Sequence, residues 1–118
     1  MNLLSIGGSD PSSGAGIQSD IKVFDSLNAH GLTVITAITG QNTLNFGMIE
    51  PASKKILKNQ LYSVMSDFRI DGIKIGMVYN SEIIKTIYAE LKNLKIPIVI
   101  DPVIKSTTGG SLIEETAI

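Results

Sequence analysis

The sequence predicts an α/β fold: a mostly parallel sheet with helices packed against it. Three observations carry that prediction. Short apolar runs rich in Ile, Val and Leu alternate with stretches whose apolar residues recur at helical spacing. Those helical stretches are long enough to act as right-handed crossovers between parallel strands. Finally, each strand-like run gives way to a glycine-bearing or polar segment, as strand ends in such sheets do.

Leu3-Leu4-Ser5-Ile6 is the first strand, and Gly7 is expected to break it. A loop, Gly7 to Gly16, follows and leads into a helix from about Ile17 to Ala29, with Ile17, Ile21, Phe24 and Leu27 on one side and Gly31 as its stop. Leu32 to Ile38 is β-branched and forms the second strand, broken at Gly40-Gln41-Asn42-Thr43. Asn45 to Pro51 reads as a loop or a short edge strand. The second helix covers about Ala52 to Asp67, with Ile56, Leu57, Leu61, Val64 and Met65 on one face. Ile70 to Ile75 is the third strand and ends at Gly76-Met77. Asn80 or Ser81 caps a third helix to about Leu94, with Ile84, Ile87, Tyr88 and Leu91 as its buried stripe. Ile98-Val99-Ile100 is the fourth strand, Lys105 to Gly110 a polar loop, and Leu112 to Ile118 the start of another helix.

Composition narrows the function. The 118 residues are 43% hydrophobic and 18% charged, an ordinary globular balance, and the net charge of −1 offers no basic field for nucleic acid or anionic lipid. Aromatic residues make up only 5%, with no tryptophan, so a base-stacking platform is not expected. Without cysteine there is no disulfide, thiolate metal site or cysteine nucleophile. The single histidine, His30, reads as a surface or capping residue. No apolar run approaches the roughly 20 residues that span a bilayer, and the first residues lack the pattern of a signal peptide, so a cytoplasmic location is expected.

In a parallel sheet the C-terminal ends of the strands share one edge, where ligands bind. Gly7-Gly8, Gln41, Gly76-Met77 and Asp101 each follow a strand, so the pattern brings all four to that edge. Glycines at 7, 8, 14 and 16 allow close approach of backbone to a ligand, and Asp10-Pro11-Ser12 fixes a turn between them. The helix N-terminus behind the loop favours a polar or anionic ligand, although a tight connection without a ligand would look the same. A P-loop is excluded because Ile17, not Lys, follows Gly16; a dinucleotide fingerprint fails because Ser19 stands at its third glycine. Gln41 carries both a donor and an acceptor, which can read the polar edge of a ligand or bond its own turn. Asp20 lies in the first turn of a helix, where the dipole favours a carboxylate in any case. Met77 offers a soft wall to a flat ring or a plain core packing residue. Asp101 is placed to bind a metal or order water near phosphates, or to cap the following loop. Lys74 should face away from Ile73 and Ile75 and receives no catalytic role, and Asp10 is assigned to bonding its own turn.

The run Gly8 to Lys22, read whole, resembles the opening motif of the hydroxymethylpyrimidine/phosphomethylpyrimidine kinases of thiamine synthesis. That motif usually reads GSDPSGGAGIQADIK, so Ser13 and Ser19 are the changes here. Gln41-Asn42-Thr43, Lys74-Ile75-Gly76-Met77 and Asp101-Pro102-Val103 follow in the family's order. The resemblance implies a ribokinase-like three-layer αβα fold of which this chain is the N-terminal, substrate-side part. It also implies ATP as co-substrate, Mg2+, a homodimer, and pyrimidine contacts from Gln41, Asp20, Gly8 and Met77. Asp101 would then lie near the metal or the phosphates, and the catalytic residue with its glycine-rich anion hole would lie beyond Ile118. These 118 residues by themselves are therefore expected to be inactive. A pyridoxal kinase of the same superfamily, or a non-catalytic ligand-binding module, are the alternatives.

Overall fold

Eight residues, Asn2–Ser9, form the central strand β1, which runs straight through Gly7 and Gly8 instead of stopping there. Its parallel partner β2, His30–Gln41, shows why. The register steps from Gly7↔Ile35 to Gly8↔Ala37, a bulge that absorbs one extra β2 residue, and glycine accommodates the bend. Gln60 closes the gap: its amide accepts from Ile35 N at 2.8 Å and donates to Ile35 O at 2.9 Å, standing in for a strand partner. The structure, a computed structural model, describes residues 1–101. The predicted Lys105–Gly110 loop and Leu112–Ile118 helix lie outside the described residues.

Strand β3, Phe46–Pro51, is the edge strand allowed for by the sequence, and it pairs antiparallel with β2. Strands β4, Gly72–Ile75, and β5, Ile98–Ile100, continue the sheet in parallel on the other side of β1, giving the order β3-β2-β1-β4-β5.

Helix α1, Gly16–Ser26, ends three residues before the expected Ala29. Its stop is Asn28, at φ 61°, with Ala29 N donating back to Phe24 O at 2.9 Å. Asparagine tolerates this left-handed geometry almost as glycine does, so the closing turn forms early. Gly31 has another use: it lies in β2, where a Cβ would sit 3.4 Å from the Phe24 ring. His30 opens β2 at the surface, its ring 5.6 Å from that of Phe68.

Helices α2, Lys54–Asp67, and α3, Ser81–Leu91, are capped by Ser53 Oγ, accepting from Ile56 N, and Asn80 Oδ1, accepting from Ile83 N. Both pack on the face that displays Leu4, Ile6, Val34, Ile73 and Ile75, and with Leu57, Leu61, Ile83, Ile87 and Leu91 they form the main core. Burying each of these side chains contributes about 1.5–3 kcal/mol. The stripes are rotated from expectation. Ile56 and Tyr88 are 49% and 68% exposed, while Ile83 and Thr86 are buried in place of Ile84 and Tyr88. The sequence holds two overlapping apolar stripes on α3, and packing against the sheet and α2 selects the one that includes Ile83 and Ile87. Helix α1 covers the other face of β1 and β2, completing three layers.

Candidate functional site

The loop between β1 and α1 is folded around one carboxylate. Asp10 is 3% exposed; its Oδ1 accepts from Ser12 N at 2.9 Å and Ser12 Oγ at 2.7 Å, and its Oδ2 from Ala15 N at 2.9 Å. Burial pushes the carboxyl pKa up, but these bonds, with one from Gly14 N, outweigh it and leave the group below its ordinary value. Asp10 thus has the turn-organising role assigned from sequence. Gln18 clamps the other side, accepting from Asp10 N at 2.8 Å and donating to Ser9 Oγ at 2.8 Å. Gly16, at φ 65°, passes so close beneath β1 that a Cβ there would lie 2.4 Å from Gly8 O. These contacts hold the loop in one shape beside the strand ends.

Three of the expected substrate residues come together at the C-terminal edge of the sheet. Met77 follows β4 and lays its side chain over Gly8, where a Cβ would meet Met77 Cε at 2.4 Å and Sδ at 3.3 Å. Met77 is 7% exposed and forms a small second apolar cluster with Ala37, against which Phe46 and Ile49 of β3 pack. Its carbonyl accepts from Thr36 Oγ1 at 2.6 Å, and Ser9 O accepts from Thr39 Oγ1 at 2.7 Å, tying β2 to both segments. Gln41 ends β2 directly opposite Phe46 and is partly exposed. Met77 over the Gly8 backbone, Phe46 packed against the Met77 cluster and Gln41 opposite Phe46 thus place apolar groups and one carboxamide at the same edge. Patches of that composition suit flat heterocycles.

The structure does not gather Asp20 into this patch. Its Oδ2 accepts from Ser5 Oγ at 2.7 Å and its Oδ1 pairs with Lys74 Nζ, between α1 and the sheet. Ser5 lies three positions upstream of Gly8, so Asp20 sits deeper in the fold than the strand ends. Lys74 does face away from Ile73 and Ile75, as expected, and its charge is used in anchoring α1. Asp101 stands at the end of β5, its amide donating to Ile75 O at 2.8 Å and its side chain exposed. No group of three His, Cys, Asp or Glu side chains that could hold a metal occurs among the described residues. A lone exposed carboxylate supplies at most one protein ligand to a cation.

Sequence reasoning missed Phe46 and Gln18. Phe46 fell in a segment with no clear period, and only the β2–β3 register pairs it with Gln41. Gln18 carried a legible signal, since an amide in the first helical turn can reach back to the preceding loop. Two grooves beside α2, of about 470 and 610 Å3, are lined by residues such as Lys54, Lys58, Tyr62 and Glu90 and by none of the strand-end residues. Among the described residues, no helix is long and apolar enough to cross a membrane.

Known proteins resemble this chain in sequence and in fold. The sequence profile described as phosphomethylpyrimidine kinase matches residues 10–118. A hydroxymethylpyrimidine/phosphomethylpyrimidine kinase of Rhizobium meliloti is 43% identical over 115 residues, covering 98% of this chain and 43% of the relative. The Escherichia coli kinase of the same name is 40% identical over 119 residues, covering 100% of the chain and 45% of the relative. The chain thus spans somewhat under half the length of these relatives. Among solved structures, a phosphomethylpyrimidine kinase from Clostridium difficile 630 superposes with a TM-score of 0.90 at 43% identity, over 99% of this chain and 51% of that one. A pyridoxal kinase from Staphylococcus aureus in complex with AMP-PCP gives a TM-score of 0.78 at 32% identity, over 92% and 40%.

Proposed function

The chain belongs to the phosphomethylpyrimidine kinase family, and from that premise we propose that it forms the N-terminal, pyrimidine-binding part of a single ribokinase-like kinase domain. The reaction is transfer of the γ-phosphoryl group of ATP to the hydroxymethyl oxygen of an aminopyrimidine, or to the phosphate of its monophosphate, with ADP released. The observation that carries the reading is the meeting of Gly8, Met77 and Gln41 at one sheet edge. Gln41 would hydrogen-bond the ring edge and Met77 would lie against its face, which orients the substituent to be phosphorylated. The relatives' names favour a pyrimidine over pyridoxal, although a pyridoxal kinase shares the fold.

Asp20 belongs to the proposal as a second contact. With Ser5 and Lys74 each on one oxygen, both oxygens keep a free lone pair for a ligand amine. Asp101 would sit at the phosphate side, where Mg2+ would neutralise charge on the transferring group, and the functional assembly would be a dimer of the full-length gene product.

Calorimetry with hydroxymethylpyrimidine on the full-length gene product tests the site. Gln41→Ala should weaken binding by about 1–3 kcal/mol, as expected when a buried polar group loses its partner. Unchanged affinity in a folded variant would refute the assignment.

A further inference from the structure

We propose that Phe46 is a substrate-contacting, specificity-determining residue whose ring stacks on the flat heterocycle that Gln41 reads. This deepens the proposed function and rests on its assignment of the pyrimidine to this edge. Gln41 and Phe46 are directly opposed in the antiparallel β2–β3 pair. Opposed residues point to the same face with Cβ atoms about 4.5–5.5 Å apart. The ring is therefore a side-by-side neighbour of the carboxamide.

The hairpin is shaped to aim that ring. The register slips between Thr39 and Gln41, and a bulge at that point redirects the strand end. Gly47 beside it crosses so near β2 that a Cβ would lie 2.6 Å from Gly40 O, so the two strands close tightly just where Phe46 emerges. Phe46 then packs against the Ala37–Met77 cluster while remaining only partly buried. Its ring is supported from beneath and still has surface available. Leu44 and Met48, close by in the same hairpin, are 81% and 83% exposed and join no cluster. A ring held against Met77, with an amide at its side, matches a planar heteroaromatic bound face-on to Phe46 and edge-on to Gln41.

The test uses the full-length gene product and hydroxymethylpyrimidine, with Phe46→Ala, Phe46→Leu and Gln41→Ala compared by calorimetry and by proton NMR of the ligand. Phe46→Ala should weaken binding roughly 5- to 150-fold, the range for losing one stacked base. Stacking should also move the ligand's ring-proton resonances upfield in the parent protein. Phe46→Leu, which keeps the apolar packing, should abolish that shift while binding better than Phe46→Ala. If the Phe46 variants keep both affinity and shift while Gln41→Ala loses binding, this proposal is overturned and the site reading stands. If Gln41→Ala also binds normally, the site reading itself falls, and Phe46 with it. Should Phe46→Ala fail to fold, the upfield shift in Phe46→Leu decides: its loss upholds stacking and its persistence overturns it.

Discussion

Gly8 and Gly16 present the same steric problem with different consequences. An added Cβ would come within 2.4 Å of a heavy atom at either position. At Gly8 that atom is Cε of Met77, the free end of a flexible side chain, which can move by changing rotamer. The cost of holding a side chain away from its preferred rotamer is about 0.5–1.5 kcal/mol, so Gly8→Ala should lower stability by about 1 kcal/mol. At Gly16 the atom is the backbone carbonyl of Gly8, with Asp10 N a further 3.2 Å contact, and φ is +65°. The left-handed conformation alone costs about 1–2 kcal/mol for a residue with a Cβ, and relieving the clash requires shifting β1 or the loop. Gly16→Ala should therefore cost about 3 kcal/mol or more. Urea denaturation of both variants measures the difference. Ligand titration should reverse its emphasis: Gly8→Ala pushes Met77 out of the patch and should weaken pyrimidine binding about tenfold with the fold intact. Equal stability losses for the two variants would refute the reasoning, because it rests on which atom each Cβ meets.

Other outcomes follow from single contacts. Ser13 holds φ 64° where the family motif carries glycine, so Ser13→Gly should raise stability by about 1 kcal/mol in the same denaturation assay. Asp10, whose pKa is depressed by its hydrogen bonds, contributes stability that is present above its unfolded value near 3.8 and is lost as pH falls through the lower folded value. Asp10→Asn should flatten that acid limb and cost about 1–3 kcal/mol at neutral pH. Lys74→Met strands the Asp20 carboxylate and should cost about 1–2 kcal/mol, reduced from a fully buried pair because Lys74 is about a third exposed; adding Asp20→Asn should recover most of it. A polypeptide of these 118 residues alone, given ATP, Mg2+ and hydroxymethylpyrimidine, should yield no phosphorylated product by mass spectrometry, since it spans somewhat under half the length of its relatives.

Why some of this was legible in the sequence and some not comes down to how local each signal is. The strand–helix alternation, the Asn80 cap and the turn around Asp10 are set by residues within a few positions of one another, and the structure matches them. Convergence of Gly8, Gln41 and Met77 was also accessible, because parallel topology alone places strand ends on one edge. The early stop of α1 at Asn28 and the reach of Gln18 were local signals passed over, whereas the other failures are non-local. Gly7 looked like a strand breaker because its bulge partner, Ile35 and the Gln60 amide behind it, is distant in sequence. Ile84 and Tyr88 looked buried because a helix's phase against a sheet is decided by packing, which the 3.6-residue period cannot supply. The partners of Asp20 were out of reach as well, because Ser5 and Lys74 are neighbours only across the β1–β4 pair and nothing local shows that both reach it. Phe46 is the same effect in the opposite direction. It has no motif and no period, and it acquires meaning only through a register that sets it against Gln41. The chemistry proposed for this edge is thus written partly in motifs and partly in pairings, and a substitution that shifts the β2–β3 register should disable the site while leaving every motif residue in place.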